Sequence, residues 1–219
     1  MTPKTDQVKI SKSEKTRLRI LDSFLDLMRE KRWDKISVKE LCAKAEITRG
    51  TFYQYYDDIY TLMESLEDQL LADLTERYEK ISYTSYSEIP ADLFVDKFDY
   101  APPEVLTVWF RFVRDHKKEL LALFDRKNGD PYFVKKMKAV MSEYLSRVMD
   151  SDGHPDDALR SHFMKLFLEM HFLGALSWIE DDESLSEEDI VNLLNATRVG
   201  SCYLGFKRRS DPEFRKKIQ

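Results

Sequence analysis

A chain of 219 residues is long enough for a sizeable core, whether as one large domain or as a small module followed by a larger one. Hydrophobic residues at 42% and aromatics at 12% are those of a globular protein, and 6 Gly with 7 Pro leave little turn material for many strands, so an all-α fold is expected. The net charge of −5 hides an asymmetry: residues 1–56 carry 13 Lys+Arg against 8 Asp+Glu, a balance of +5, and residues 57–219 carry 22 against 32, a balance of −10. A basic first part suits a phosphate-bearing partner, and an acidic remainder keeps the rest of the molecule off the same polyanion. Chance clustering of solvated charge is the plain alternative.

The opening residues include positive charges but no apolar stretch long enough for a signal peptide, and no later segment approaches about 18 uninterrupted apolar residues. A cytoplasmic protein with no membrane partner is the expectation. Cys42 and Cys202 lie inside apolar helical patterns and are expected to be buried, reduced thiols.

In chain order, residues 14–30 place Ile20, Leu21, Phe24, Leu25 and Met28 on one stripe, as an amphipathic helix requires. Residues 37–45 open with Ser-Val-Lys-Glu, in which Ser37 and Glu40 are spaced to form a capping box. Thr48 is a second N-cap candidate, which leaves Glu46 and Ile47 for a tight corner before a helix over about 49–55. Val38, Leu41, Cys42, Ala45, Ile47 and Phe52 would form the shared core of this corner. A longer helix over 58–81 points Ile59, Leu62, Met63, Leu66, Leu70, Leu74 and Ile81 inward and Glu64, Glu67, Asp68 and Glu76 outward. Residues 82–101, with Pro90 inside and Pro102–Pro103 beside them, suggest a connection. Helices then follow over about 104–125, 131–149, 157–180 and 187–207, divided by the turn signals Asn128–Pro131, Asp152–Pro155 and Asp181–Glu183.

Two short helices at a sharp angle, braced by a preceding amphipathic helix, make a helix-turn-helix, which presents its second helix to the DNA major groove. Arg49, Gly50, Thr51, Tyr53, Gln54 and Tyr55 fall on the free end and outer face of that helix. An arginine can donate two parallel hydrogen bonds to a guanine edge, glutamine pairs similarly with adenine, and a threonine methyl fits a thymine methyl. Tyrosine hydroxyls suit phosphate oxygens, which set register without reading sequence. A helical corner whose aromatics cap another helix is the alternative.

The stretches ILDSFLDLMREKRWDKIS and VKELCAKAEITRGTFYQYYDDIYTL resemble the DNA-binding domain of the TetR family of transcriptional regulators over about 45 residues. The resemblance implies that Ser37 and Lys39, at the start of the second helix, and Thr48, Arg49, Gly50, Thr51, Tyr53, Gln54 and Tyr55, in the third, face double-stranded DNA. It implies domains over 1–57 (helix-turn-helix), 58–81 (connecting helix) and 82–219 (helical dimerisation and ligand domain). Two departures stand out. Glu46 occupies a turn position where the family carries glycine, suited to positive φ. Asp57-Asp58-Ile59 replaces the family's commoner Lys-Asn-Lys and removes a lysine that often reaches a phosphate there, so anchoring should lean on Lys39, Tyr55, Lys12, Lys15 and Arg17.

In the remainder, residues 157–180 are too apolar for one buried face, with Phe163, Leu166, Phe167, Met170, Leu173, Gly174, Ala175, Ser177 and Trp178. With Ile190, Leu193, Leu194, Ala196, Cys202 and Tyr203 they are expected to form a homodimer interface, an intrachain core being the alternative. Trp109, Phe112, His116, Phe133, Met137, Tyr144, His162 and His171 are candidate lining for a small-molecule effector pocket, although an aromatic stripe at helical spacing is also ordinary core. No His-Glu-x-x-His or Cys-x-x-Cys unit, phosphate loop or nucleophile elbow occurs, so no metal, no cofactor and no enzymatic activity are expected. The leading expectation is a dimeric repressor of a palindromic operator, its affinity set by a small molecule through a shift of the helix at 58–81. The alternative is a protein-interaction or nucleoid-associated module without ligand control.

Overall fold

The computed structural model describes residues 11–81, 104–151, 155–181 and 184–198, and among them every regular element is helical. The elements are α1 (Lys12–Met28), a 3-10 turn (Trp33–Lys35), α2 (Val38–Lys44), α3 (Arg49–Phe52), α4 (Ile59–Glu79), α5 (Glu104–Asp115), α6 (Lys117–Leu123), α7 (Pro131–Ser151), α8 (Ala158–Glu180) and α9 (Glu187–Arg198). The expected connection over 82–101, the turn at 152–154, and the end of the last helix with Cys202 and Tyr203 lie outside the described residues.

Packing divides the chain into two compact units along lines other than the expected domain limits. The first ends at Asp68 and also takes in Ala122–Pro131; the second takes Gln69–Leu121 and the chain from Tyr132 onward. The boundary therefore falls inside α4, and the turn after α6 belongs with the N-terminal helices.

In the first unit, α1 starts two residues earlier than its periodicity suggests, because the Ser11 side chain accepts the Glu14 N–H at 3.0 Å. Ile20, Phe24, Leu25 and Met28 are buried as expected, Leu21 only partly, and Ser23 and Leu27 join the inner face. Burial of each large apolar side chain here contributes about 1.5–3 kcal/mol. The turn Ala122–Pro131 closes on this unit: Trp33 donates its N–H to the Asn128 carbonyl at 3.3 Å, and Asn128 Nδ2 donates to the Arg29 carbonyl at 3.5 Å. On α4 the inward apolar positions of this unit, Ile59, Leu62, Met63 and Leu66, are buried as expected, as are Leu70 and Leu74 in the second unit, but Glu67, expected outward, is only 3% exposed. Glu67 follows the wholly apolar Leu66 and lies one turn past Met63, so it sits at the edge of the inner stripe.

In the second unit, α5 packs on α8 and α9, and α8 on α9. Trp109, Phe110, Phe112 and Val113 of α5 are wholly buried. The single helix expected over 104–125 is divided at His116, although His116 N–H still bonds the Phe112 carbonyl and its own carbonyl accepts the Leu120 N–H. His116 Nε2 lies 2.8 Å from Asp73 Oδ2, and Asp73 and Asp115 both bind Arg77, at 2.9 and 2.8 Å. This tertiary tie at the break has no local sequence signal. Arg160, buried on α8, bonds Asp150 Oδ1 at 2.6 Å and the Ser146 carbonyl at 3.0 Å, joining α8 to α7.

The corner between α2 and α3 has the geometry of a Schellman turn. Ile47 N–H bonds the Cys42 carbonyl at 3.0 Å, Glu46 N–H bonds the Ala43 carbonyl at 3.3 Å, and Glu46 takes a φ of 51°. A left-handed residue with a Cβ is strained, so Glu46→Gly should raise stability by about 0.5–1 kcal/mol. Denaturant titration of the two proteins measures it, and a lower midpoint for the glycine variant would contradict the strain argument.

Candidate nucleic-acid interface

The corner is built by two caps in succession. Ser37 Oγ accepts the Glu40 N–H at 3.2 Å, and Glu40 Oε2 accepts the Ser37 N–H at 3.0 Å, completing the expected capping box. Lys31 Nζ holds the other Glu40 oxygen at 2.6 Å. These bonds, the Lys31 ammonium first, hold the Glu40 carboxyl down to about 2. Thr48 Oγ1 accepts the Thr51 N–H at 3.1 Å and caps α3. Helical geometry ends at Phe52 rather than at 55, and bonds from Tyr53 to Arg49, Gln54 to Thr51, and Tyr55 and Tyr56 to Phe52 carry the backbone on as a tightening turn.

Phe52, wholly buried, fastens α3 to the unit, with the Tyr53 ring edge-on at 5.5 Å and Tyr56 at 5.9 Å. Leu41, Cys42 and Ala45 share this core, while Val38 and Ile47 are half-buried. Burial pushes the Cys42 thiol up, as befits a packing residue rather than a nucleophile.

Of the nine residues expected at DNA, eight divide into two groups. Lys39, Arg49, Tyr53 and Gln54 are exposed, and among the described residues their side chains make no hydrogen bond or ion pair. All their donors are available. Ser37, Thr48, Thr51 and Tyr55 are already engaged: Ser37 Oγ with Glu40 Oε2 at 2.8 Å, Thr48 with Thr51 at 2.9 Å between hydroxyls, and Tyr55 donating to Ser13 Oγ at 3.2 Å. Gly50 brings no side chain, and a Cβ there would meet only Thr48 Oγ1 at 3.7 Å, so its value is an unobstructed backbone on the outer face.

Of the expected phosphate anchors, Lys12 and Lys15 are exposed, whereas Arg17 is half-buried and bonds within the unit. Within the Asp57-Asp58-Ile59 departure, Asp58 caps α4: Oδ1 accepts the Thr61 N–H at 2.7 Å, and the Asp58 N–H donates to Thr61 Oγ1 at 3.0 Å. The reciprocal Asp58–Thr61 spacing was legible as a cap; the partners of Arg17, Tyr56 before α4 and Ser65 on it, both far along the chain, were not.

The residues expected to line an effector pocket fall mostly into the core of the second unit. Trp109, Phe112, Phe133 and Met137 are 0% exposed. Trp109 stacks with Phe112 at 6.0 Å, meets Phe172 at 5.0 Å, and donates Nε1–H to the His171 carbonyl at 3.4 Å. His171 Nδ1–H donates to the Phe167 carbonyl at 2.6 Å, and burial lowers the imidazole to about 4, so it is neutral at pH 7. Tyr144 stacks on Tyr78 at 4.9 Å, and His116 holds Asp73. His162 is a correction: it is exposed and lines no interior space. Nine residues at about 100° each amount to two and a half turns, which places His162 and His171 on opposite faces of α8.

The apolar surplus on α8 also divides. Phe167 and Ala175 face the unit's own core, and a Cβ on Gly174 would lie 2.7 Å from Leu194 Cδ1, so Gly174 serves close packing of α8 on α9 within the chain. Leu159, Leu166 and Leu173, spaced by seven along one stripe, stay 45%, 72% and 65% exposed, and Leu193 on α9 is 57% exposed.

A helix-turn-helix with an open recognition face, followed by a larger helical unit, defines an all-α class of DNA-binding folds. No family model matches the chain. The chain is 22% identical over 178 residues to an uncharacterized HTH-type transcriptional regulator, YxbF, of Bacillus subtilis; the match covers 81% of this chain but 43% of that relative, so the chain spans less than half its length. Among solved structures it is similar to a TetR-family transcriptional regulator from Streptomyces coelicolor, with a TM-score of 0.59 and 17% identity over 94% of this chain and 87% of that one. It is also similar to the fatty acid degradation regulator FadR from Bacillus halodurans, with a TM-score of 0.57 and 11% identity over 85% and 96% of the two chains. A TetR transcriptional regulator from Streptococcus agalactiae gives a TM-score of 0.53 and 17% identity over 84% and 94%. The fold of this chain is that of the TetR family of transcriptional regulators. Among the described residues, no helix is long and apolar enough to cross a membrane.

Proposed function

We propose that the protein is a dimeric DNA-binding transcriptional repressor whose affinity for a palindromic operator is controlled by a small molecule held in the second unit. The observation that carries this reading is the exposed set Lys39, Arg49, Tyr53 and Gln54, whose polar side-chain atoms make no hydrogen bond or ion pair among the described residues, on a doubly capped helix-turn-helix. Arg49 and Gln54 read base edges; Lys39 and Tyr53 hold phosphates, and the bonded hydroxyls of Ser37, Thr48, Thr51 and Tyr55 position the backbone. The leucine stripe on α8 with Leu193 favours a second copy of the chain as the partner of that face. Effector control would use α4, which runs unbroken from Ile59 to Glu79 across the unit boundary. Recognition helices of a dimer must lie about 34 Å apart, and a ligand that favours another spacing by about 1–3 kcal/mol changes operator affinity about 5- to 150-fold. Repression from the cytoplasm follows from this reading.

Selection of bound duplexes from a random pool tests it. A palindrome is expected, and Arg49→Ala should lose about 1–3 kcal/mol of binding and relax preference at one position per half-site. Equal loss on selected and random duplexes would remove Arg49 from base reading. Enrichment of no sequence would favour a nucleoid-associated or protein-interaction module.

A further inference from the structure

Beside the recognition helix the first unit has a cleft of about 410 Å³, lined by Arg17 of α1, by Gln54, Tyr55, Tyr56 and Asp57, and by Thr61 and Ser65 of α4. Arg17 Nε donates to the Tyr56 hydroxyl at 3.3 Å and Nη2 donates to Ser65 Oγ at 3.3 Å. Among the described residues the guanidinium has no carboxylate partner. A half-buried cation without a counter-ion, opening on a cleft, is a site for an anion.

Proton placement specifies the anion further. Both hydroxyls accept from Arg17, so the hydrogen that each carries is left to donate, and three of the five guanidinium N–H groups also remain. The cluster of Arg17, Tyr56 and Ser65 thus keeps donors to spare beside the cleft, a match for the several acceptor oxygens of a phosphoryl group. The carboxylate on the lining, Asp57, is exposed and screened by water.

The geometry points to this cleft as a phosphate site, centred on Arg17, that takes a backbone phosphodiester of the duplex contacted by Gln54. The inference rests on the DNA-binding reading. Gln54 and Tyr55 belong both to the cleft wall and to the recognition segment, so a duplex seated on the helix supplies the phosphate at high effective concentration. Arg17 then takes the anchoring role that Asp57-Asp58 denies to the start of α4.

The test uses the full chain and a random duplex, with affinity measured over a range of KCl concentrations. Arg17→Gln should flatten the slope of log affinity on log salt by about 0.9 per protomer, and Arg17→Lys should keep the slope while binding more weakly. Arg17→Gln with the wild-type slope would overturn the site and leave Arg17 a brace between α1 and α4. Should Arg17→Gln fail to fold, Ser65→Ala decides: weaker binding at unchanged slope supports the site, and wild-type binding overturns it. In a second arm, inorganic phosphate is titrated into DNA-free protein while the Arg17 Nε–H resonance is followed. A saturable shift in a protein that binds no duplex would keep the anion site and sink the DNA reading. A tight phosphate site with no effect of Arg17→Gln on the salt slope would overturn the phosphodiester as its occupant.

Discussion

Alanine at Gly129 is expected to destabilise the first unit by about 1–3 kcal/mol, with a fall of several degrees in melting temperature. A Cβ there would lie 2.2 Å from the Leu123 carbonyl oxygen and 2.7 Å from that of Asp125. Both are backbone atoms, so no side-chain rotation relieves the clash. The same turn donates Gly129 N–H to the Asp125 carbonyl at 2.9 Å and Asp130 N–H to the Leu123 carbonyl at 3.0 Å. Making room must therefore break bonds that shape the loop and present Asn128 to Arg29 and Trp33. A thermal melt of Gly129→Ala that overlays the wild type would show that the loop yields without cost.

If the proposed dimer pairs through the α8 stripe, glutamate at both Leu166 and Leu173 is expected to leave the protomer folded and to separate the two copies. These side chains are 72% and 65% exposed in the protomer, and substitutions at such positions usually change stability by no more than about 0.5 kcal/mol. In a two-fold interface each change is made twice, and unpaired charge in an apolar contact costs several kcal/mol. The dissociation constant of the dimer should rise at least about 100-fold, which is about 2.7 kcal/mol. Affinity for a palindrome should then fall by about 10²- to 10⁴-fold as the second half-site loses its tether. Sedimentation at matched concentrations measures the first effect and operator titration the second. A double variant that sediments as the wild type would move the interface off the α8 stripe.

How far the protein was legible in its sequence depended on the range of each interaction. The Ser37–Glu40 box, the Thr48 cap and the buried stripe of α1 follow from residues within four positions of one another, and all are present in the structure; the left-handed Glu46 was pointed to by the family resemblance instead. The outward face of the recognition segment is equally local, because a short helix anchored by Phe52 has only one side left for Arg49, Tyr53 and Gln54.

Where the chain bends back on itself, periodicity carried no signal. The break at His116 coincides with a tie to Asp73, the turn at Asn128 earns its place through Arg29 and Trp33, and Arg17 is held by Tyr56 and Ser65. The surplus of apolar residues on α8 was plain from composition, but only packing separated Phe167, Ala175 and Gly174, which serve the chain's own core, from Leu159, Leu166 and Leu173, which do not. Helix type and capping are decided by neighbours along the backbone, whose spacing the sequence states directly. Which face is covered, and which polar group finds a partner, is decided by residues that folding alone brings near, and for these the sequence names the candidates without their pairing.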